Sequence, residues 1–141
     1  MTPAQVALVQ ASFAKVAPVA DQAAQIFYDR LFAVAPQVRS LFPNDMTEQR
    51  RKLMGTLGVV VNALDKLETV LPAASALAKR HVSYGAQPAH YPVVGEALLW
   101  TLQRGLGDAW TDDVAAAWTA AYTTLSNFMI SEAYAKPQAA E

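Results

Sequence analysis

The sequence predicts an all-α domain, and three observations lead to that prediction. Ala, Leu and Gln, which favour helices, are frequent in the chain. No segment alternates apolar and polar residues in the manner of a half-buried strand. Proline and glycine residues divide the chain into segments of helical length. With 141 residues, the chain is long enough to form one domain with its own core.

The individual helices follow from their caps and breaks. Thr2-Pro3-Ala4-Gln5 has the form of a capping box with proline in the first turn. Thr47 is expected to cap the third long helix, and Thr111, which two acidic residues follow, to cap the last. Gly107 is expected to end the helix before it. The predicted helices cover residues 3–16, Val19–Ala33, 48–64, Leu71–Tyr84, Tyr91–Leu106 and 112–134, with a helical turn over Pro36–Leu41, a loop at Pro43–Asp45 and a frayed tail from Lys136.

The composition excludes several classes of site and partner. The chain has no cysteine, so disulfides, zinc–thiolate sites, iron–sulfur clusters and cysteine nucleophiles are ruled out. Eleven basic and twelve acidic residues give a formal net charge of −1, which offers no basic excess to bind nucleic acid or an anionic membrane. No apolar run has the length of a membrane span, and the N-terminus lacks the pattern of a signal peptide. We therefore expect a cytoplasmic protein without nucleic-acid or membrane partners.

The apolar fraction is high, and histidine is scarce. Apolar residues make up 53% of the chain and charged residues 16%, so either the core is large or an apolar group is bound inside it. His81 and His90 are the two histidines. A lone histidine in an apolar helix, such as His81, is ordinarily a core or surface residue. No dinucleotide-binding loop, nucleophile elbow or cluster of metal ligands is recognisable in the sequence.

Several segments, taken in order, match a known protein family. They are Phe27-Tyr28-Asp29-Arg30-Leu31-Phe32, Leu41-Phe42, Gln49 with Leu53, Arg80-His81, His90-Tyr91-Pro92-Val93-Val94-Gly95-Glu96, Ala117-Trp118 and Ala121-Tyr122. Together they resemble the bacterial single-domain globins of the flavohaemoglobin-like class, over nearly the whole chain from Val6 to Tyr134. The resemblance implies one globin domain over residues 1–141, built as a three-over-three helical sandwich of six to eight helices.

The resemblance also implies haem b as the cofactor and assigns its proximal side. Globins hold the haem iron through one imidazole, and His81 has that position. His90 is the rival ligand, at a position that does not ligate in the family. Tyr91 and Glu96 match a phenol and a carboxylate behind the proximal histidine, where a carboxylate would fix the tautomer of the imidazole and give it anionic character. Without the resemblance, they would be interpreted as a packing residue and a solvated helix residue.

On the distal side, the resemblance implies Tyr28 and Gln49. Their O–H and N–H groups would donate to dioxygen bound at a five-coordinate haem iron. By themselves, the two residues would be interpreted as a core aromatic and a solvent-facing amide. The resemblance assigns the apolar walls of the haem pocket to Phe42, Leu53, Leu57, Val94 and Leu98.

Three functions are compatible with these residues. The first is a haem globin that binds dioxygen reversibly, for storage, transport or sensing. The second is a nitric oxide dioxygenase, which would detoxify nitric oxide and would need an external reductase because no flavin domain is recognised in the chain. The third is an interaction module of globin shape without haem. The first two share every site residue, so the sequence does not separate them. We expect dioxygen or nitric oxide as ligands, and a monomer or weak homodimer.

Overall fold

The computed structural model describes residues 1–134, which form helices joined by short connections. The helices are α1 (Pro3–Val16), α2 (Ala20–Val34), α3 (Thr47–Asn62), α4 (Leu71–Ser83), α5 (His90–Leu106) and α6 (Asp112–Tyr134). Short 3₁₀ helices cover Ala17–Val19, Pro36–Leu41, Leu64–Thr69 and Gly107–Ala109. Residues 1–134 contain no strand, and none of their helices has the length and apolar character needed to cross a membrane. The tail from Lys136, predicted to fray, lies outside the described residues.

Most helix ends follow the predicted signals. At α1, the Thr2 hydroxyl accepts from the Gln5 N–H while the Gln5 side chain accepts from the Thr2 N–H, which completes the capping box. Gly107 ends α5 with a φ of +54°, a conformation that residues with side chains rarely adopt. The Thr111 hydroxyl accepts from the Val114 N–H at the start of α6. These ends were predictable because each signal acts within one turn of the chain.

Helix α3 differs from the prediction at both ends. Thr47 is its first residue, and Met46 occupies the N-cap position without a side-chain hydrogen bond. Asp45 Oδ1 accepts from the Thr47 N–H at 3.0 Å. The helix ends at Asn62, and Leu64 begins a separate 3₁₀ helix in which Lys66 has non-helical φ and ψ. No glycine or proline marks this break, so the sequence pattern predicted a helix that ends two residues too late.

The core lies where α1, α2, α5 and α6 meet. Helix α2 packs most extensively against α5, and both α1 and α4 pack along α6. Trp118 is fully buried, and its indole N–H donates to the Ser12 hydroxyl at 2.8 Å, which satisfies a polar atom in an apolar setting. Gly95 allows a close approach of α6, since a Cβ atom there would lie 2.7 Å from the Tyr122 ring. Helix α3, which contains Gln49, packs on α2, and helix α4, which contains His81, packs on α6. These candidate residues therefore lie on two sides of the core.

Candidate functional site

Tyr28 and Gln49 meet between α2 and α3. Gln49 Nε2 donates to the Tyr28 hydroxyl oxygen at 3.0 Å, and Tyr28 is only 5% exposed. Burial raises the pKa of Tyr28, and the hydrogen bond from Gln49 offsets part of that rise. The phenol therefore keeps its proton at neutral pH. Because the oxygen of Tyr28 accepts from Gln49, its own O–H is left to donate to another acceptor.

Three phenylalanine rings surround Tyr28. Its ring centroid lies 4.9 Å from that of Phe27, 5.8 Å from that of Phe32 and 5.5 Å from that of Phe42. Phe32 and Phe42 also contact each other edge to face at 5.5 Å. Aromatic pairs of this kind are worth about 0.5–1.5 kcal/mol beyond the area they bury. The cluster therefore holds the Tyr28 ring in one position, with its hydroxyl at Gln49.

Arg39 holds the segment that carries Phe42. Its guanidinium donates to the main-chain carbonyl oxygens of Pro43 at 2.9 Å, Asn44 at 3.3 Å and, more weakly, Phe42 at 3.4 Å. The same guanidinium lies over the Phe32 ring, 5.0 Å from its centroid. The sequence analysis did not single out Arg39. An arginine one turn before a Pro-Asn-Asp loop is the signal that could have found it.

The apolar residues of the predicted pocket belong to one cluster. Tyr28 and Leu98 are buried members of it. The half-buried side chains that pack against the same cluster include Phe42, Leu53, Leu57 and Val94. Leu57 and Leu98 also line a cavity of about 30 Å³, a volume on the scale of one small molecule such as water. These six residues therefore belong to the same apolar core.

His81 lies half-buried in the last turn of α4. Its Nδ1 atom is 2.7 Å from the carbonyl oxygen of Leu77, one helical turn earlier. Because a carbonyl only accepts, Nδ1 carries the proton and the lone pair of Nε2 remains free to bind a metal. The turn after α4 also comes close to the segment before Phe42, since a Cβ atom at Gly85 would lie 3.1 Å from the Leu41 side chain.

Glu96 is placed differently from the expectation. Its two carboxylate oxygens accept from Arg30, at 2.6 Å from Nη2 and 3.4 Å from Nε. This hydrogen bond raises the pKa of Arg30. The proton on His81 Nδ1 is donated to Leu77 and not to Glu96. The expected contact between Glu96 and His81 is therefore not formed, and that prediction is corrected. Glu96 lies on the face of α5 that meets α2, where the Arg30 guanidinium binds it.

Tyr91 lies against the helix that carries His81. It is 8% exposed and packs in one cluster with Ala78 of α4 and Met129 of α6. The Tyr122 hydroxyl donates to the Tyr91 carbonyl oxygen at 2.6 Å. Burial raises the pKa of Tyr122, so this hydroxyl remains a donor throughout the neutral range. The start of α5 is thereby fixed to α6.

Two further polar residues lie near these helices. His90 is the first residue of α5, and its Nδ1 atom accepts at 3.0 Å from the N–H of Gln87, which lies in the turn before the helix. Glu132 Oε1 accepts from the Ser75 hydroxyl of α4 at 2.7 Å. Glu132 is thus a carboxylate that contacts the helix of His81. The sequence analysis did not single it out, because one glutamate in a long helix gives no signal of its own.

Comparison with known proteins identifies the family. The family model for globins matches residues 25–129. The chain belongs to the globin family. A flavohaemoprotein of Halalkalibacterium halodurans is 36% identical to this globin over 107 residues, which cover 74% of this chain and 26% of that protein. A flavohaemoprotein of Rhizobium meliloti is 32% identical over 120 residues, which cover 81% and 30%. This globin therefore matches less than a third of the length of either relative.

Solved structures share its fold. One is an engineered carbene transferase from Rhodothermus marinus that carries the name nitric oxide dioxygenase; its TM-score is 0.85, with 28% identity, over 100% of this chain and 99% of the other. Another is a bacterial globin from Campylobacter jejuni, with a TM-score of 0.84 and 23% identity, over 96% and 100% of the two chains. These similarities confirm the predicted all-α globin fold.

Proposed function

We propose that this globin binds haem b, with His81 as the iron ligand, and takes up dioxygen reversibly in the cytoplasm. One observation carries the proposal: His81 Nδ1 is hydrogen-bonded to the Leu77 carbonyl oxygen, which leaves Nε2 as the ring nitrogen that can bind a metal. The absence of cysteine supports a haem held without thioether bonds. Membership of the globin family supports the same cofactor.

The residues present fit such a group. Haem is a broad, largely apolar ring, and it needs apolar walls as well as an axial ligand. The apolar walls are formed by half-buried or buried side chains: Phe42, Leu53, Leu57, Val94 and Leu98. When bound there, haem supplies an iron centre that binds a diatomic gas.

The distal side chains stabilise a ligand that carries partial negative charge. Tyr28 donates its O–H, and Gln49 orients that O–H by occupying the phenol oxygen as an acceptor. A hydrogen bond to a group that is itself hydrogen-bonded is strengthened by polarisation. The raised pKa of Tyr28 keeps the proton in place. Phe27, Phe32 and Phe42 keep water from the ring of Tyr28 and hold it in position.

The test is haem retention after replacement of each histidine. We expect His81→Ala to abolish stable haem retention, because no other imidazole lies at that position in α4. His90→Ala is the matched control, and it should keep the Soret band and its shifts on reduction and oxygenation. An H81A protein with an unaltered imidazole–haem spectrum would contradict the assignment. Loss of haem in H90A alone would transfer the role to His90.

A second function is nitric oxide dioxygenation with an external reductase. The names of the relatives favour it: two are flavohaemoproteins of greater length, and one structural neighbour carries the name nitric oxide dioxygenase. The test is nitric oxide consumption by the oxygenated protein with an added flavin reductase and NADH. Sustained turnover would indicate the enzyme, whereas a single stoichiometric turnover would indicate an oxygen carrier.

A further inference from the structure

A concave site lies between α2 and α5, apart from the candidate haem site. It has a volume of about 300 Å³ and is lined by Ile26, Asp29, Arg30, Ala33, Trp100 and Arg104. The four residues from α2 share one face by helical spacing, and Tyr28 lies on the opposite face of that helix. Trp100 and Arg104, four residues apart, likewise lie on a different face of α5 from Val94 and Leu98. The two sites therefore use different faces of the same helices.

An indole ring with two guanidinium groups over it forms part of the wall. Arg104 Cζ lies 4.1 Å from the centroid of the Trp100 ring, and Arg30 Cζ lies 4.8 Å from it. A guanidinium group held over an indole ring by cation–π attraction still has N–H groups that can bind a planar anion such as a carboxylate. Arg30 is already occupied along that edge, because Glu96 accepts from two of its nitrogens.

The remaining charges of the concavity are uncompensated. Within residues 1–134, no carboxylate lies within 4.0 Å of Arg104, and no basic nitrogen lies within that distance of Asp29. Both residues are exposed. The concavity thus presents one unpaired cation and one unpaired anion that do not reach each other, with apolar side chains beside them.

We propose that this concavity binds a small zwitterion with an apolar body, of the class of the apolar α-amino acids. Its carboxylate binds Arg104, its ammonium group binds Asp29 and its side chain packs on Trp100. A simple anion would be attracted by Arg104 and repelled by Asp29, whereas a simple cation would be attracted by Asp29 and repelled by Arg104. A ligand that carries both charges is therefore favoured over either ion. A volume of about 300 Å³ is at the small end of ligand pockets and suits a molecule of amino-acid size.

Binding should be weak, because the site is open and its ion pairs are screened by water. For a ligand of about a dozen heavy atoms we expect a Kd on the order of 1 mM. Removal of one exposed ion pair should weaken binding by about two- to fivefold. The useful signal is therefore the pattern of preference among related ligands, which does not depend on the absolute affinity.

The experiment follows the indole N–H resonance of Trp100 by NMR in the isotopically labelled protein of residues 1–141. The probes are L-phenylalanine, N-acetyl-L-phenylalanine, which lacks the ammonium group, and L-phenylalaninamide, which lacks the carboxylate. We expect the wild-type protein to bind phenylalanine about two- to fivefold more tightly than either derivative. Asp29→Asn should abolish the preference over the acetylated probe only, and Arg104→Gln the preference over the amide only.

The matched control is Arg51→Gln, which removes an exposed arginine on α3 and should keep both preferences. A Trp100 resonance that does not move with phenylalanine up to concentrations of tens of millimolar would overturn the proposal. Preferences that persist in D29N and R104Q would also overturn it. So would a Trp100 resonance that shifts with protein concentration alone, since a second copy of the chain would then supply the charges. None of these outcomes depends on haem binding.

Discussion

On the distal side of the candidate haem site, two side chains from different helices meet, whereas on the proximal side the histidine is held by its own helix. Tyr28 and Gln49 are 21 residues apart and share a hydrogen bond between α2 and α3. His81 bonds to Leu77, four residues earlier in α4. The distal arrangement therefore depends on how two helices pack, and the proximal one depends on helical geometry alone. Substitutions should consequently act through different measurements on the two sides.

The largest expected effect is on the distal side. Tyr28→Phe removes the O–H donor and keeps the ring, so the dioxygen dissociation rate should rise roughly ten- to a hundredfold. Stopped-flow measurement with the haem-loaded protein gives this rate. Thr119→Val is the control, because it removes an exposed hydroxyl on α6 that donates to the Ala115 carbonyl oxygen, outside the distal cluster. An unchanged or slower rate in Y28F would mean that the distal side does not act through this hydroxyl.

A steric effect of similar size is expected in α5. Gly95→Ala would place a Cβ atom 2.7 Å from the Tyr122 ring, and the overpacking should lower the free energy of unfolding by about 1–3 kcal/mol. Gly55→Ala in α3 meets nothing within 4 Å and should raise it by about 0.5–1 kcal/mol, because alanine favours the helix. Urea unfolding measures both variants. Equal effects would show that α5 is no more tightly packed than α3.

A smaller effect is expected from Glu96→Gln. Because Glu96 binds Arg30, the Fe–His stretching frequency should stay unchanged and the melting temperature should fall slightly. Resonance Raman spectroscopy of the reduced protein measures the frequency. The comparison variant is Glu132→Gln, which alters the carboxylate that contacts Ser75 of α4. An Fe–His stretching frequency that falls in E96Q and not in E132Q would indicate that Glu96 contacts the proximal histidine after all.

The smallest expected effect is that of pH on the distal donor. The ordinary phenol pKa is 10.0, and burial raises that of Tyr28 further, so the dioxygen dissociation rate should be constant across the neutral range. Once the pH exceeds the pKa that Tyr28 has in the unfolded chain, the unfolded chain loses this proton before the folded chain does. The contribution of Tyr28 to stability is therefore present at lower pH and declines as pH rises past that value. A step in the rate near neutral pH would point to a different donor.

Part of this structure was predictable because it is local. The caps at Thr2 and Thr111 and the end at Gly107 each depend on bonds within one turn. Departures appear where such signals are weak, as at the break after Asn62. There, neither glycine nor proline interrupts the apolar pattern, and packing decides where α3 stops.

The sequence by itself determined the helical elements, most of their ends, and the residues that resemble a haem site. Only the tertiary structure decided which of those residues touch. Glu96 and Arg30 are 66 positions apart, and their pairing depends on the rotation of α5 against α2. The same packing leaves Asp29 and Arg104 unpaired in one concavity. Bonds within a helix follow from its periodicity, whereas contacts between helices depend on the depth and angle at which they pack.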